Sequence, residues 1–340
     1  MPGMKKTVNV LKYLLLLAVS VFLMGYALRS INFTAVKAEL AQANYSWIVV
    51  TLLLSVAGYI SRAIRWRMQF VPLGYKPGHL QTYHALMVGY LANIVLPRAG
   101  EVIRCTLLRR TSEVPVNVSL GTVITERVID LVMLLLCMCF TLLLEFDRLN
   151  SFFLEIFSES FKGMEQNLQT LYLLGAVGII GSGFVIWYLY KNISKLQRNP
   201  FFKRVSDFVL GIWQGIFSIA RMEQKGAFVF HTLFIWVTYY LTSYLAFFAL
   251  PGTEDLTWQA GMAILVVGGL GMSAPVQGGI GVYHILVRTA LLLYAVPLDK
   301  GMAYALITHT TGAFLVVLMG AISLVASFTK VKREPAKQTA

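Results

Sequence analysis

Asn93 to Cys105, NIVLPRAGEVIRC, interrupts an apolar run with a proline, a glycine, two arginines and a glutamate. Proline removes a helical hydrogen bond and clashes with the preceding turn, and glycine weakens a helix interior. The stretch therefore predicts two half-helices joined at Pro97-Arg98-Ala99-Gly100, with charged side chains at the joint.

The surrounding chain gives that joint its setting. Of 340 residues, 57% are hydrophobic and 13% charged, and the mean hydropathy is +0.68. A soluble domain needs many more charged side chains, so the composition predicts a polytopic membrane protein. The net charge of +13 does not imply a nucleic-acid partner, because the Lys and Arg residues lie between apolar runs rather than on one basic face. Cys105, Cys137 and Cys139 form no metal-ligand spacing and read as core residues. Ala41-Gln42-Ala43 imitates a signal cleavage site but lies well beyond the apolar run Leu11 to Leu28, which reads as an uncleaved first span.

A full span needs roughly 20 apolar residues. Six fit, at about 10–29, 46–65, 118–144, 168–190, 227–250 and 302–328, while 79–110 and 258–297 are broken at Pro97 and Pro275. If each broken region enters and leaves on one side, Arg62, Arg65, Arg67, Lys76, Arg109 and Arg110 fall on the same side as the basic ends of the chain. By the positive-inside rule both termini are then cytoplasmic. Segment 203–222, with Phe208, Ile212, Ile216 and Ile219 at helical spacing, reads as an interfacial helix, and 329–340 as a cytoplasmic tail.

The chain also repeats. An offset of 178 aligns Leu80-Gln81 with Trp258-Gln259, Pro97 with Pro275 and Gly100 with Gly278; after a slip of five, Val123 to Glu126 meets Leu306 to His309. Repeat one covers 46–144 with hairpin 79–110, repeat two covers 227–328 with hairpin 258–297, and 168–222 links them. An odd number of crossings between the copies turns the second upside down, which is a transporter design. The expected fold is thus an all-α polytopic membrane protein, with about six spans and two re-entrant helical hairpins arranged as an inverted repeat.

Charge at membrane depth is expensive, about 2.5–3.5 kcal/mol for each side chain at the bilayer centre. Arg98, Glu101, Arg104, Glu126, Arg127 and Asp130 therefore have to share a polar cavity. Arg127 and Asp130, three apart, are expected to pair, leaving Glu126 to hold Arg98 or Arg104. The helix starting at Gly100 points free N–H groups at the hairpin tip beside Arg98, which favours an anion. The six charges sum to zero, so a purely structural ion network is the alternative. In the second hairpin, Gly278, Gly279 and Gly281 permit close approach of a ligand or of the first hairpin, and His284 and Arg288 share a face four apart. His309, matching Glu126, can titrate near neutral pH. His84 and His231 read as structural, and the five histidines form no metal set.

Leu96-Pro97-Arg98-Ala99-Gly100-Glu101 with Arg104, then Glu126-Arg127-x-x-Asp130, then Gly278 to His284, resemble the flippase-like membrane domain family. That family includes the transmembrane part of lysylphosphatidylglycerol synthases. The resemblance covers roughly 10 to 328 and implies movement of a phospholipid across the bilayer. A dozen polar residues follow Phe328, so the synthase's soluble activity is not implied. His284 departs from the acidic residue expected in many relatives.

Together these readings predict a non-enzymatic lipid flippase or lipid-linked-substrate transporter in a cell inner membrane, requiring no cofactor or metal. Its partner would be a membrane lipid with a phosphate headgroup, either a phospholipid or a polyprenyl phosphate. Arg98 and Arg104 would bind the headgroup, Glu101 and Glu126 would orient the arginines, and Arg127 with Asp130 would brace the span. An integral-membrane enzyme using Glu126 or His284 as base, or a small-solute transporter of the same design, are the competing readings.

Overall fold

The computed structural model describes residues 33–96, 98–146 and 222–329. The expected first span 10–29, the linking span 168–190, nearly all of segment 203–222, both termini and Pro97 itself lie outside the described residues. Every regular element among those described is helical. We number them α1 (Phe33–Ala41), α2 (Tyr45–Met68), α3 (His79–Val95), α4 (Gly100–Ser112), α5 (Val116–Leu144), α6 (Lys225–Leu245), α7 (Trp258–Ser273), α8 (Val282–Leu292) and α9 (Leu298–Thr329).

Four regions are long and apolar enough to cross a membrane: Tyr45–Leu73, Val116–Leu144, Lys225–Ala249 and Leu298–Ser327. They overlap the four expected spans that fall within the described residues. Asn44 starts α2 by accepting the Ser46 N–H at 3.1 Å. Below that cap, Ile48, Thr51, Gly58, Ser61, Arg62, Arg65 and Trp66 form one buried stripe at helical spacing. By contrast α5 and α9 expose many large apolar side chains, Leu131, Leu135, Leu136 and Leu143 on α5 and Phe314, Ile322 and Val325 on α9. A helix that keeps such a face outward needs an apolar surrounding.

Both broken regions are pairs of short helices. Leu96 is extended, as the residue before a proline must be, and Arg98 at φ 64° turns the chain into α4. Gly100 touches the Gly89 carbonyl, so α3 and α4 cross at glycine, where a Cβ on Gly100 would also meet the Asn93 side chain. The second break is made differently. Ala274 before Pro275 is extended, and Gly278, Gly279 and Gly281 all adopt positive φ, at 55°, 72° and 84°. There α7 and α8 meet where Gly271 leaves room for the Tyr283 backbone.

The order long, short, short, long thus occurs twice, as α2 to α5 and as α6 to α9. α2 and α6 run antiparallel along each other: Trp47 lies 5.2 Å from Phe248 at one end, and Met68 packs with Phe228 at the other. α3 packs on α9, and α7 packs on α5. One apolar core, around Trp66, Phe70, Leu86 and Leu108, lies beneath α2 to α5. A larger one, around Phe247, Ile264, Leu291 and Tyr304, ties α7 to α9 to the first turns of α2.

Candidate functional site

Where α2, α4 and α5 meet, five charged side chains form one network. Glu126 and Asp130 are four apart on α5 and face the same way. Arg62 of α2 bridges them, donating from Nη2 to Glu126 Oε1 at 2.6 Å and to Asp130 Oδ2 at 2.9 Å. Arg65, one turn on, donates to Asp130 Oδ1 at 2.7 Å, and Arg104 of α4 donates to Glu126 Oε2 at 3.1 Å. Arg62 Nη1 also donates to the Tyr239 hydroxyl of α6 at 2.5 Å, carrying the network into the second half of the chain.

Aromatic rings close the site. The Arg104 guanidinium lies 4.5 Å over the Trp66 ring and that of Arg62 5.6 Å from Tyr90. Trp66 is itself fixed, its Nε1–H donating to Thr122 Oγ1 at 2.9 Å. Stacking on an aromatic face suits guanidinium, which is weakly hydrated and planar.

The charges in this network do not cancel. Arg62, Arg65 and Arg104 contribute three positive charges against two negative ones from Glu126 and Asp130, leaving one positive charge in excess. Glu126 is 1% exposed, Arg65 0% and Arg104 2%. Five buried guanidinium nitrogens, Arg62 Nε, Arg65 Nε and Nη1, and Arg104 Nε and Nη2, have no partner among the described residues. A buried cluster with a surplus cation and spare donors has the charge and the N–H groups that binding an anion would require.

Several expected residues take other places. Asp130 pairs with Arg62 and Arg65, not with Arg127, which instead donates to Glu101 Oε1 at 3.1 Å in a far more exposed position. The i,i+4 relation of Glu126 and Asp130 decides this, since Arg127 lies about a hundred degrees round the helix and faces α4. Of the two arginines proposed for Glu126, Arg104 is the one it holds, while Arg98 is exposed at the hairpin tip. The Gly100 N–H is not free: Asn93 Oδ1 takes it at 2.7 Å. Arg62 and Arg65, assigned by charge sorting to the loop side, are buried core members of the network. The signal for them was Arg62 and Arg65 three apart inside an apolar helix; Tyr239 had none.

The second hairpin brings different groups together. His284 of α8 and His309 of α9 lie with ring centroids 4.7 Å apart, and Tyr283 is 5.3 Å from His309. His309 Nε2 meets the Gly278 carbonyl at 2.7 Å, and the Tyr283 and Thr308 hydroxyls bond at 3.1 Å. The glycines serve conformation first: Gly278 faces open space, while Gly279 abuts Met272. Arg288 is buried one turn beyond His284, against Gly301. His231 bonds Ser61 and His84 bonds Ser323, both linking helices. Among the described residues no group of three or more His, Cys, Asp or Glu could hold a metal ion.

Comparison with known proteins extends this picture. The chain is 22% identical over 126 residues to the UPF0104 membrane protein MJ1595 of Methanocaldococcus jannaschii, a match over 36% of this chain and 38% of that protein's length. No solved structure matches it. The family described as "Lysylphosphatidylglycerol synthase TM region" matches residues 13–320, so this multi-pass membrane protein belongs to that family.

Proposed function

We propose that this protein carries a lipid or lipid-linked substrate with an anionic headgroup across the inner membrane, receiving the headgroup at the first hairpin. The observation that carries the reading is the buried surplus charge with its five spare guanidinium nitrogens. The exposed cations Arg98, at the hairpin tip, and Arg127, on α5, meet the headgroup first; Arg62, Arg65 and Arg104 hold it, and Glu126 and Asp130 keep them apart in its absence. The family's description names a phospholipid synthase, which agrees with a lipid phosphate as the ligand.

The architecture agrees with alternating access by an inverted repeat. α3 and α4 have 17 and 13 residues and α7 and α8 have 16 and 11, each short of the roughly 20 a span requires, as re-entrant arms would be. The antiparallel α2 and α6 meet where Gly58 makes room for Thr238, an offset of 180 beside the sequence repeat of 178. Contact between equivalent positions is what a two-fold axis produces. The reciprocal pairs α3 with α9 and α7 with α5 fit the same axis. In this reading both termini are cytoplasmic and the protein does no covalent chemistry.

The test is reconstitution into liposomes carrying fluorescent phospholipid and polyprenyl-phosphate probes, with wild type compared against Arg98→Gln. Arg98 is exposed, so removing its charge leaves the buried network intact. Probe movement lost or reduced at least tenfold in a variant that melts like wild type supports the headgroup role. Wild type that moves neither probe under any ion gradient leaves the buried charges as a structural ion network and overturns the reading.

A further inference from the structure

The second hairpin holds a pair of buried imidazoles that the headgroup reading does not use. Their hydrogen bonds fix their protons. The Gly278 carbonyl can only accept, so His309 Nε2, 2.7 Å away, carries its proton. The Gly281 N–H can only donate, and it points at His284 Nδ1 across 3.4 Å, so that nitrogen is bare. Neutral His284 then keeps its proton on Nε2, which is buried without a partner among the described residues. Two imidazoles therefore grip the two ends of one turn whose glycines at 278, 279 and 281 are all left-handed.

We propose that the His284–His309 pair is a proton-binding site, and that its occupation releases the glycine turn of the second hairpin. A proton from water added at His284 Nδ1 turns the acceptor of the Gly281 N–H into a second donor, so that bond is lost and two N–H groups face each other. The new cation would sit beside a His309 ring whose centroid is 4.7 Å away and which already donates. Among the described residues no carboxylate is paired with it, and α3, which packs against the 277–279 turn, carries His79, Tyr83, His84 and Tyr90 but no Asp or Glu. On α8 the neighbours are Tyr283 and, one turn on, the buried cation Arg288; on α9 they are His309 and Thr308, the latter bonded to Tyr283. α7, packed against α8, has no titratable side chain between Trp258 and Ser273, and neither ring is ion-paired among the described residues. A buried charge without a counterion is expelled toward water, and here that means opening the turn.

His309 occupies the position that the repeat pairs with Glu126. The first half thus holds fixed ion pairs where the second holds neutral imidazoles, which can take up a proton. The proposal goes beyond the transport reading and does not depend on it, since the turn's opening is measured without any lipid substrate.

The experiment is hydrogen–deuterium exchange of the full chain in nanodiscs from about pH 7 down to about pH 3.5, because burial without a counterion disfavours the charged imidazole, with rates divided by the intrinsic chemical rate at each pH. Peptides spanning 274–285 report the turn. In wild type the corrected exchange should rise at least tenfold as the pH falls. His284→Asn places an amide oxygen where Nδ1 stands, accepting from Gly281 without titrating, and should flatten the response. His309→Gln retains a donor to Gly278 and should leave it. A flat wild-type profile overturns the proposal whether or not the variants fold, and a full response surviving in His284→Asn overturns the assignment to His284.

Discussion

The two hairpins of this protein solve the same backbone problem with opposite chemistry. Both lie between two short helices, and both are bonded by a residue that the proposed repeat would align, Glu126 to Arg104 in the first half and His309 to Gly278 in the second. The first hairpin is held by charge: five ionised side chains from α2, α4 and α5. The second is held by neutral donors and acceptors, two imidazoles, a hydroxyl pair and three left-handed glycines. Permanent ion pairs in a low-dielectric site are strong and pH-independent, whereas an imidazole latch is weaker and responds to protons. In the proposed reading the two halves differ in chemistry as well as in sequence, the first receiving the ligand and the second responding to protons.

That contrast breaks most readily at Glu126. Glu126→Gln strands Arg104 and half of Arg62 without a counter-charge, and removal of one partner from a buried pair costs about 3–5 kcal/mol. Thermal unfolding in detergent should show the largest loss of any single substitution; a variant as stable as wild type would mean the network is hydrated and weak. At the corresponding His309, Gln should cost far less, because its amide still donates to Gly278.

The glycines sharpen the comparison. Gly100→Ala pushes a methyl group into the Gly89 carbonyl and the Asn93 side chain, a clash between two backbones that costs at least about 1–3 kcal/mol. Gly278→Ala meets no atom and pays only for its left-handed backbone, about 1–2 kcal/mol. Melting temperatures of the two variants in one detergent rank them; the reverse order would contradict the crossing at Gly89.

Arg127→Ala should be close to silent for stability, within about 1 kcal/mol, because its pair with Glu101 is the exposed one. It should nonetheless slow probe movement in liposomes if the headgroup passes it. The smallest effect belongs to the loop before α7. There, backbone N–H groups, first that of Glu254 itself and then those of Gly252 and Thr253, hold the Glu254 carboxyl below the usual carboxylate range. A depressed value means that the loop's stabilisation is present above about pH 4.5 and is lost as pH falls through the lower folded value. Exchange of residues 252–256 should rise there in wild type and should already be raised at neutral pH in Glu254→Gln.

Much of the architecture was legible in the chain, because membrane helices announce themselves by length and apolarity and breaks by proline and glycine. The four described spans fall where the apolar runs put them, and both breaks fall at the prolines. That Glu126 would hold an arginine of the first hairpin was readable too, but the choice of Arg104 over Arg98 was not. Charge sorting places Arg62 and Arg65 on the loop side, because basic residues near the end of a span normally mark topology, and Tyr239 carries no signal at all.

The sequence by itself determined the solvent this protein lives in, the positions where its helices break, and the presence of charge that lipid would not tolerate, since each of these follows from local composition and covalent geometry. Which charges meet was decided only by tertiary packing. The i,i+4 face of α5 is turned toward α2, and that places Asp130 against two arginines some sixty-five residues earlier instead of the one three residues away. Residues far apart in the chain become neighbours by helix packing, and no local rule of spacing encodes that choice.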